Sequence, residues 1–243
     1  MYDLSTMSSI DLYNKTPDSY DRLQHKRPDY VGAQQAFVGF AAAYFGNKKA
    51  VSIVDFCSGT GKDTRLVSER VDVAAARLID INEDFLKQAL EQGIKAKDVG
   101  IVRSDILTAD VGSGADVVIS MFAYHHVKDA DKSAYVKKAK AALKPGGIVL
   151  LGEIYSPDKQ MTLAYYEHLI RSIPGADKDV ALQTFLRQTA ASDDFEYKVS
   201  RQFAHGQFTA AGFELLDSKK IWPTDDAFPA DVGTFVEVWG VID

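Results

Sequence analysis

A short apolar run, Val51-Ser52-Ile53-Val54, leads into Asp55 and then, through Phe56, into a loop of small residues, Cys57-Ser58-Gly59-Thr60-Gly61. Helical spacing resumes through Leu66, Val67 and Val71. A buried strand that feeds a Gly-rich turn and a helix N-terminus is the arrangement by which an α/β sheet lets its backbone approach a nucleotide-like ligand. The two glycines alone do not choose the ligand; their neighbours narrow it.

A P-loop requires Gly at position 56 and Ser or Thr at 63, but Phe56 and Asp63 stand there, and Asp63 would repel a phosphate. A dinucleotide fingerprint requires a third Gly at 64, where Thr64 sits. What remains is Asp-x-x-x-Gly-x-Gly, with the acid at the strand end and the glycines four and six residues on. This pattern resembles the first motif of the class I S-adenosylmethionine (SAM)-dependent methyltransferases. A carboxylate suits a sulfonium zwitterion better than a pyrophosphate, because the former brings positive charge.

The rest of the chain extends the resemblance. Ala76–Asp80 reads as a second strand, and Asp80, 19 residues beyond Gly61, is placed to accept both ribose hydroxyls. Asn82 caps a helix through Phe85, Leu86, Ala89 and Leu90. Val99–Ser104 is a third strand, followed by Asp105 where the family holds the adenine amino group, and Asp116–Ser120 is a fourth. Leu143-Lys144-Pro145-Gly146-Gly147 stops a helix and turns into a fifth strand ending at Glu153. Ala211-Gly212-Phe213 leads into a sixth, and Thr234–Ile242 closes the chain. By resemblance the fold is a three-layer Rossmann-like methyltransferase fold, with a seven-stranded, mostly parallel sheet whose last strand is antiparallel. The whole chain, 1–243, reads as one such domain, with 1–46 as an N-terminal cover and 156–205 as a helical lid insertion.

The resemblance implies SAM as cofactor and S-adenosylhomocysteine as product. It assigns cofactor binding to Asp55, Ser58, Gly59, Thr60, Gly61, Asp80, Ile81, Asp105, Ile106, Ser120 and Met121, with Tyr20 (or Tyr13) against the sulfonium as a cation–π contact. The other reading of these tyrosines is packing of a loop onto the body. Met121-Phe122-Ala123-Tyr124-His125-His126 leaves the fourth strand where the family places acceptor-facing groups. Enzymes that methylate nucleic-acid bases carry Asn or Asp, Pro, Pro and an aromatic here, so this segment points away from DNA and RNA. His125, with Tyr124, is the acid–base or substrate-orienting candidate, while His126 reads as a helix cap. Adjacent residues on a regular helix do not share a face, so both imidazoles are not expected in one pocket. Glu153 fits either an amine-holding group or a strand-end salt bridge, and Tyr166 of the insertion is a further substrate-contact candidate.

Composition bounds the partners. Hydrophobic residues make up 46% of the 243, enough for a large core, and the net charge of −6 disfavours nucleic acid or an anionic membrane as main partner. Cys57 is the single cysteine, so no internal disulfide forms. The longest apolar run, Ala36–Phe45, is too short to span a bilayer, and no signal pattern opens the chain. A cytoplasmic protein, monomer or homodimer, is expected. Asp129 and Asp131 read as first-turn helix acids, so no metal is expected. Lys132, Lys137, Lys138 and Lys140 read as a solvated face. The expected activity is methylation of an O or N atom of a small metabolite. The alternatives are a SAM-consuming cyclase, lyase or carboxy-SAM-type synthase of the same fold, and a non-catalytic SAM-binding protein.

Overall fold

A computed structural model describes residues 17–194 and 196–242. Among these residues two helices come first, α1 (Pro17–Gln24) and α2 (Pro28–Phe45). Pro28 opens α2, where a missing N–H costs no hydrogen bond. Alternation then begins: β1 (Val51–Phe56), α3 (Lys62–Ser68), β2 (Val73–Asp80), α4 (Glu83–Glu91), β3 (Ala96–Arg103) and β4 (Ala115–Met121). A 3-10 turn at Tyr124–His126 leads to α5 (Lys132–Ala142) and β5 (Leu143–Tyr155). The chain continues through α6 (Lys159–Ser172), α7 (Val180–Ala191), α8 (Arg201–Ala210), β6 (Phe213–Trp222) and β7 (Gly233–Val241).

The strands form one sheet in the order β3-β2-β1-β4-β5-β7-β6. β1 to β5 pair in parallel, while β7 runs antiparallel to both of its neighbours. Burial follows that order. β4 in the middle is buried almost throughout, whereas β3 and β6 at the edges are largely exposed. The period of two divides the side chains between two cores. Ile53, Val117, Ile119, Leu150 and Val236 face α2, α6 and α7, and Val54, Val118, Val149, Phe235 and Trp239 face α5 and α8.

Two local expectations are corrected. The Leu143–Gly147 turn is absorbed into β5 as a bulge: Ala115 pairs with Leu143 and Val117 with Ile148, leaving Lys144 to Gly147 looped out. α8 starts at Arg201, where Ser200 Oγ accepts the Phe203 N–H, and the Val199 carbonyl accepts a hydrogen bond from the Ser156 N–H. Lys132 is completely buried, because its ammonium donates to the carbonyls of Tyr124 and Val127 at 3.1 and 2.5 Å. Lys138 and Lys140 likewise reach back to carbonyls, of Ala109 and Ala211.

α6 and α7 pack into the core beside α2, with Tyr165, Leu169, Leu182 and Phe185 buried. Among the described residues, no helix is long and apolar enough to cross a membrane.

Candidate active site

The strand order reverses between β1 and β4, and the loops leaving these neighbours diverge to opposite faces. A cavity of about 400 Å³ opens at that place, beyond the carboxyl ends of β1 to β4. Two non-glycine residues at its wall hold left-handed backbone, Cys57 (φ 54°) after β1 and Phe122 (φ 52°) after β4. Such conformations cost free energy and concentrate where a chain must turn sharply at a site.

One end of the cavity is acidic and rich in backbone N–H. Asp80, at the tip of β2, accepts the Gly59 N–H on Oδ2 and the Asn82 N–H on Oδ1, each at 2.8 Å. The carboxylate therefore ties the glycine loop to the start of α4 while lining the cavity. Burial raises its pKa against the pull of these amides. Gly59 lines the cavity with φ 53°, and a Cβ there would project into open space. Gly61 (φ 68°) serves packing: a Cβ would lie 2.7 Å from that of Ala89. Ile81, Asp105 and Ile106 complete this end, with Tyr20 from α1 beside Phe85 at a ring separation of 5.3 Å.

Several residues expected at the cofactor lie just behind it. Asp55 is buried, does not line the cavity, and accepts the Thr64 hydroxyl at 2.6 Å, so it braces the loop against α3. Burial pushes its pKa well up. Thr60 donates to Asp21 of α1 at 3.1 Å, and Ser120 is bonded to the Tyr135 hydroxyl at 2.7 Å. Ser58 Oγ is buried without a hydrogen-bond partner among the described residues. Tyr13 lies outside the described residues.

The other end is formed by Met121, Phe122, His126, Val127, Asp131 and Tyr197. Met121 has room because Gly152 of β5 carries no Cβ at the point where the thioether sits. The expected acceptor residues His125, Tyr124, Glu153 and Tyr166 do not line the cavity; all four are buried behind its wall. Glu153 Oε1 meets His125 Nδ1 at 2.5 Å, Glu153 Oε2 accepts the His125 N–H at 3.1 Å, and the Ile154 N–H adds a third bond at 2.6 Å. Burial raises Glu153 to about 7 and holds His125 well below the usual histidine range. Tyr166 belongs to the α6 core.

Two residues with no signal in the sequence complete this network. Glu196 follows α7 in an extended segment fastened by the Tyr197 N–H to the His125 carbonyl at 2.7 Å. Its carboxylate pairs with Lys198 and lies 3.6 Å from His125 Nε2 and 3.9 Å from His126 Nδ1. Burial opposes its charge, yet Lys198 and the two imidazoles hold its pKa down at about 2. Both imidazoles thus converge on one carboxylate from adjacent positions, against expectation. The 3-10 turn after left-handed Phe122 swings them together, and their ring centroids are 4.3 Å apart.

Known proteins share this architecture. The family described as "Methyltransferase domain" matches residues 53–147, from β1 through the Lys-Pro-Gly-Gly bulge. An uncharacterised methyltransferase of Bacillus mycoides strain KBAB4 is 22% identical over 113 residues, 46% of this chain and 51% of its own. The chain thus spans about half the length of the curated relatives it matches. The N-methyltransferase NodS from Bradyrhizobium japonicum WM9, solved with S-adenosylhomocysteine, superposes with a TM-score of 0.67 at 10% identity, covering 98% of this chain and 100% of its own. The 1,6-didemethyltoxoflavin-N1-methyltransferase of Burkholderia thailandensis, solved with 1,6-didemethyltoxoflavin and S-adenosylhomocysteine, gives 0.62 at 14% identity over 97% and 87%. The matched segment is similar to a methyltransferase domain, and the sheet as a whole shares the fold of these solved methyltransferases.

Proposed function

We propose that this protein transfers a methyl group from SAM to an oxygen or nitrogen of a small molecule held in the cavity. The observation that carries the reading is Asp80: a strand-end carboxylate that both closes the glycine loop and lines a cavity at the switch point of the sheet. The open space beside Gly59, which lines the cavity, fits a polar cofactor laid along this loop.

Asp80, Gly59 and Asp105 would hold SAM, with Ile81, Ile106 and Tyr20 against its apolar surfaces. When bound, SAM supplies a methyl group made electrophilic by the adjoining sulfonium. The chain's own task is positioning and exclusion of water, which for a displacement of this kind is most of the catalysis. Met121 and Phe122 wall the acceptor end with apolar surface, and His126, Asp131 and Tyr197 offer polar contacts there. A cavity of about 400 Å³ lies within the range used for small-molecule ligands. NodS and the toxoflavin-precursor enzyme are named as N-methyltransferases, and their likeness supports the same reaction class for this chain.

Titration calorimetry with SAM tests the reading. The wild-type chain is expected to bind one equivalent, and Asp80→Ala to bind about 10- to 150-fold more weakly, the effect of losing one charged hydrogen-bonding group. Equal affinities in the two proteins would remove Asp80 from the site.

A further inference from the structure

We propose that His125, His126 and Glu196 form a binding site for one divalent first-row transition-metal ion at the acceptor end of the cavity. Each residue offers one ligand atom, and these atoms lie within 4.8 Å of one another. Two imidazole nitrogens and one carboxylate oxygen are the donors that borderline ions such as Zn²⁺, Co²⁺ and Fe²⁺ take, with positions left open for water or a ligand.

Three features distinguish this cluster from a chance grouping. The first is the outer partner of His125. Nδ1 lies 2.5 Å from a Glu153 oxygen, and that carboxylate is itself held by the His125 and Ile154 amides. Coordination through Nε2 fixes the proton on Nδ1, where Glu153 accepts it, the carboxylate–histidine–metal arrangement that orients a ligand ring. The second is the juxtaposition without a metal. With the proton on Nδ1, the Nε2 lone pair faces Glu196 Oε2 3.6 Å away, an oxygen that the Lys198 ammonium also holds, and a metal cation would draw the two ligand atoms together. The third is rigidity. The Tyr197 N–H bond to the His125 carbonyl and the Lys132 bonds to Tyr124 and Val127 lock both ligand-bearing segments.

Charge around the site accommodates an ion. Lys198 pairs with Glu196 through Oε2, whereas Oε1 is the oxygen on the His126 side. Asp131 and Asp194 line the same cavity and offset added positive charge. His126 is the ligand that reaches the cavity wall, so the site adjoins that end of the cavity. On the methyltransferase reading, an acceptor hydroxyl bound there would release its proton to solvent more readily and keep the lone pair that forms the new bond to carbon. This role rests on that reading; the binding of the metal does not.

The test uses the 243-residue chain without a tag, stripped with chelator and titrated with Co²⁺, read by visible d–d absorption and by equilibrium dialysis. The expected result is one Co²⁺ per chain, displaced by Zn²⁺, with affinity lowered at least about tenfold in His126→Ala and by about 10- to 100-fold in Glu153→Gln, the outer partner. His126 is partly exposed, so its alanine variant is expected to fold as the wild type does by circular dichroism. Absence of Co²⁺ binding to the wild-type chain would overturn the proposal. So would binding of equal affinity in wild type, His126→Ala and Glu196→Gln. Calorimetry with SAM in the absence of metal reports separately on the methyltransferase reading, so failure of one does not imitate failure of the other.

Discussion

Asp80 and Asp116 show how two strand-end acids acquire different roles from their surroundings. Asp80 faces the cavity and its partners are amides, so its removal is felt in ligand affinity. Asp116, buried at the start of β4, faces none of the cavity. It pairs with Lys144 of the β5 bulge and Lys48 before β1, and accepts the Ser52 N–H at 2.8 Å. Burial opposes its charge, but the two lysines and Ser52 prevail and lower its pKa to about 2. A carboxylate depressed in the folded state stabilises above its unfolded pKa of about 3.9, and that contribution is lost as pH falls through about 2. Asp116→Asn is therefore expected to lose about 1–2 kcal/mol at pH 7, discounted for the part-exposed lysines, with the difference closing towards pH 2. Urea denaturation of both proteins across that range checks it; a gap of constant size would mean that charge is not the cause. At Gly61, alanine must adopt φ 68° and meet Ala89, so Gly61→Ala should cost more than about 1 kcal/mol in the same assay.

The turn Tyr124–His126 is the element on which the acceptor end depends. Its carbonyls are held by a lysine whose ammonium also lies 4.6 Å from the centre of the Tyr124 ring. Burial lowers the Lys132 pKa to about 8, yet Lys132→Met would leave two buried carbonyls without their donor. A loss of about 1–3 kcal/mol is expected from denaturation. SAM affinity should be nearly unchanged, because Lys132 does not line the cavity; a parallel collapse of SAM binding would show that the turn and the cofactor end are one unit.

Periodicity and charge do not reveal such an element. Lys132 looked like one more surface lysine because its burial is set by carbonyls that a turn eight residues away happens to expose. His125 and His126 looked unable to share a pocket because that argument assumed helical geometry, whereas a left-handed Phe122 precedes a 3-10 turn. Glu196 and Gly152 had no local pattern at all. Their importance comes from β5 and the segment after α7 arriving beside the same loop. The helical insertion was legible as amphipathic helices, but its docking on α2 depends on tertiary contacts.

At the scale of the molecule, the sheet was legible because each of its determinants is local: apolar strands, capping residues and a glycine loop, all with readings that agree. The strand order then places the ends of β1 to β4 around one cavity, and the cofactor end follows from it. Gly59, Ile81, Asp80, Asp105, Ile106, Met121 and Tyr20 all line that cavity, while Asp55, Ser58, Thr60, Gly61 and Ser120 form the layer behind it. The acceptor end was not legible to the same degree, since three non-contiguous segments build it.

The most direct measurement is mass spectrometry of the products formed when the 243-residue chain is incubated with SAM, alone and with a metabolite extract. Methyl transfer predicts S-adenosylhomocysteine only when extract is present, together with a compound heavier by one methylene, and a strongly reduced yield of both from Asp80→Ala. Methylthioadenosine or another fragment formed from SAM alone would contradict methyl transfer and favour a cyclase or lyase of the same fold. Neither product, with SAM still bound by calorimetry, would contradict catalysis altogether.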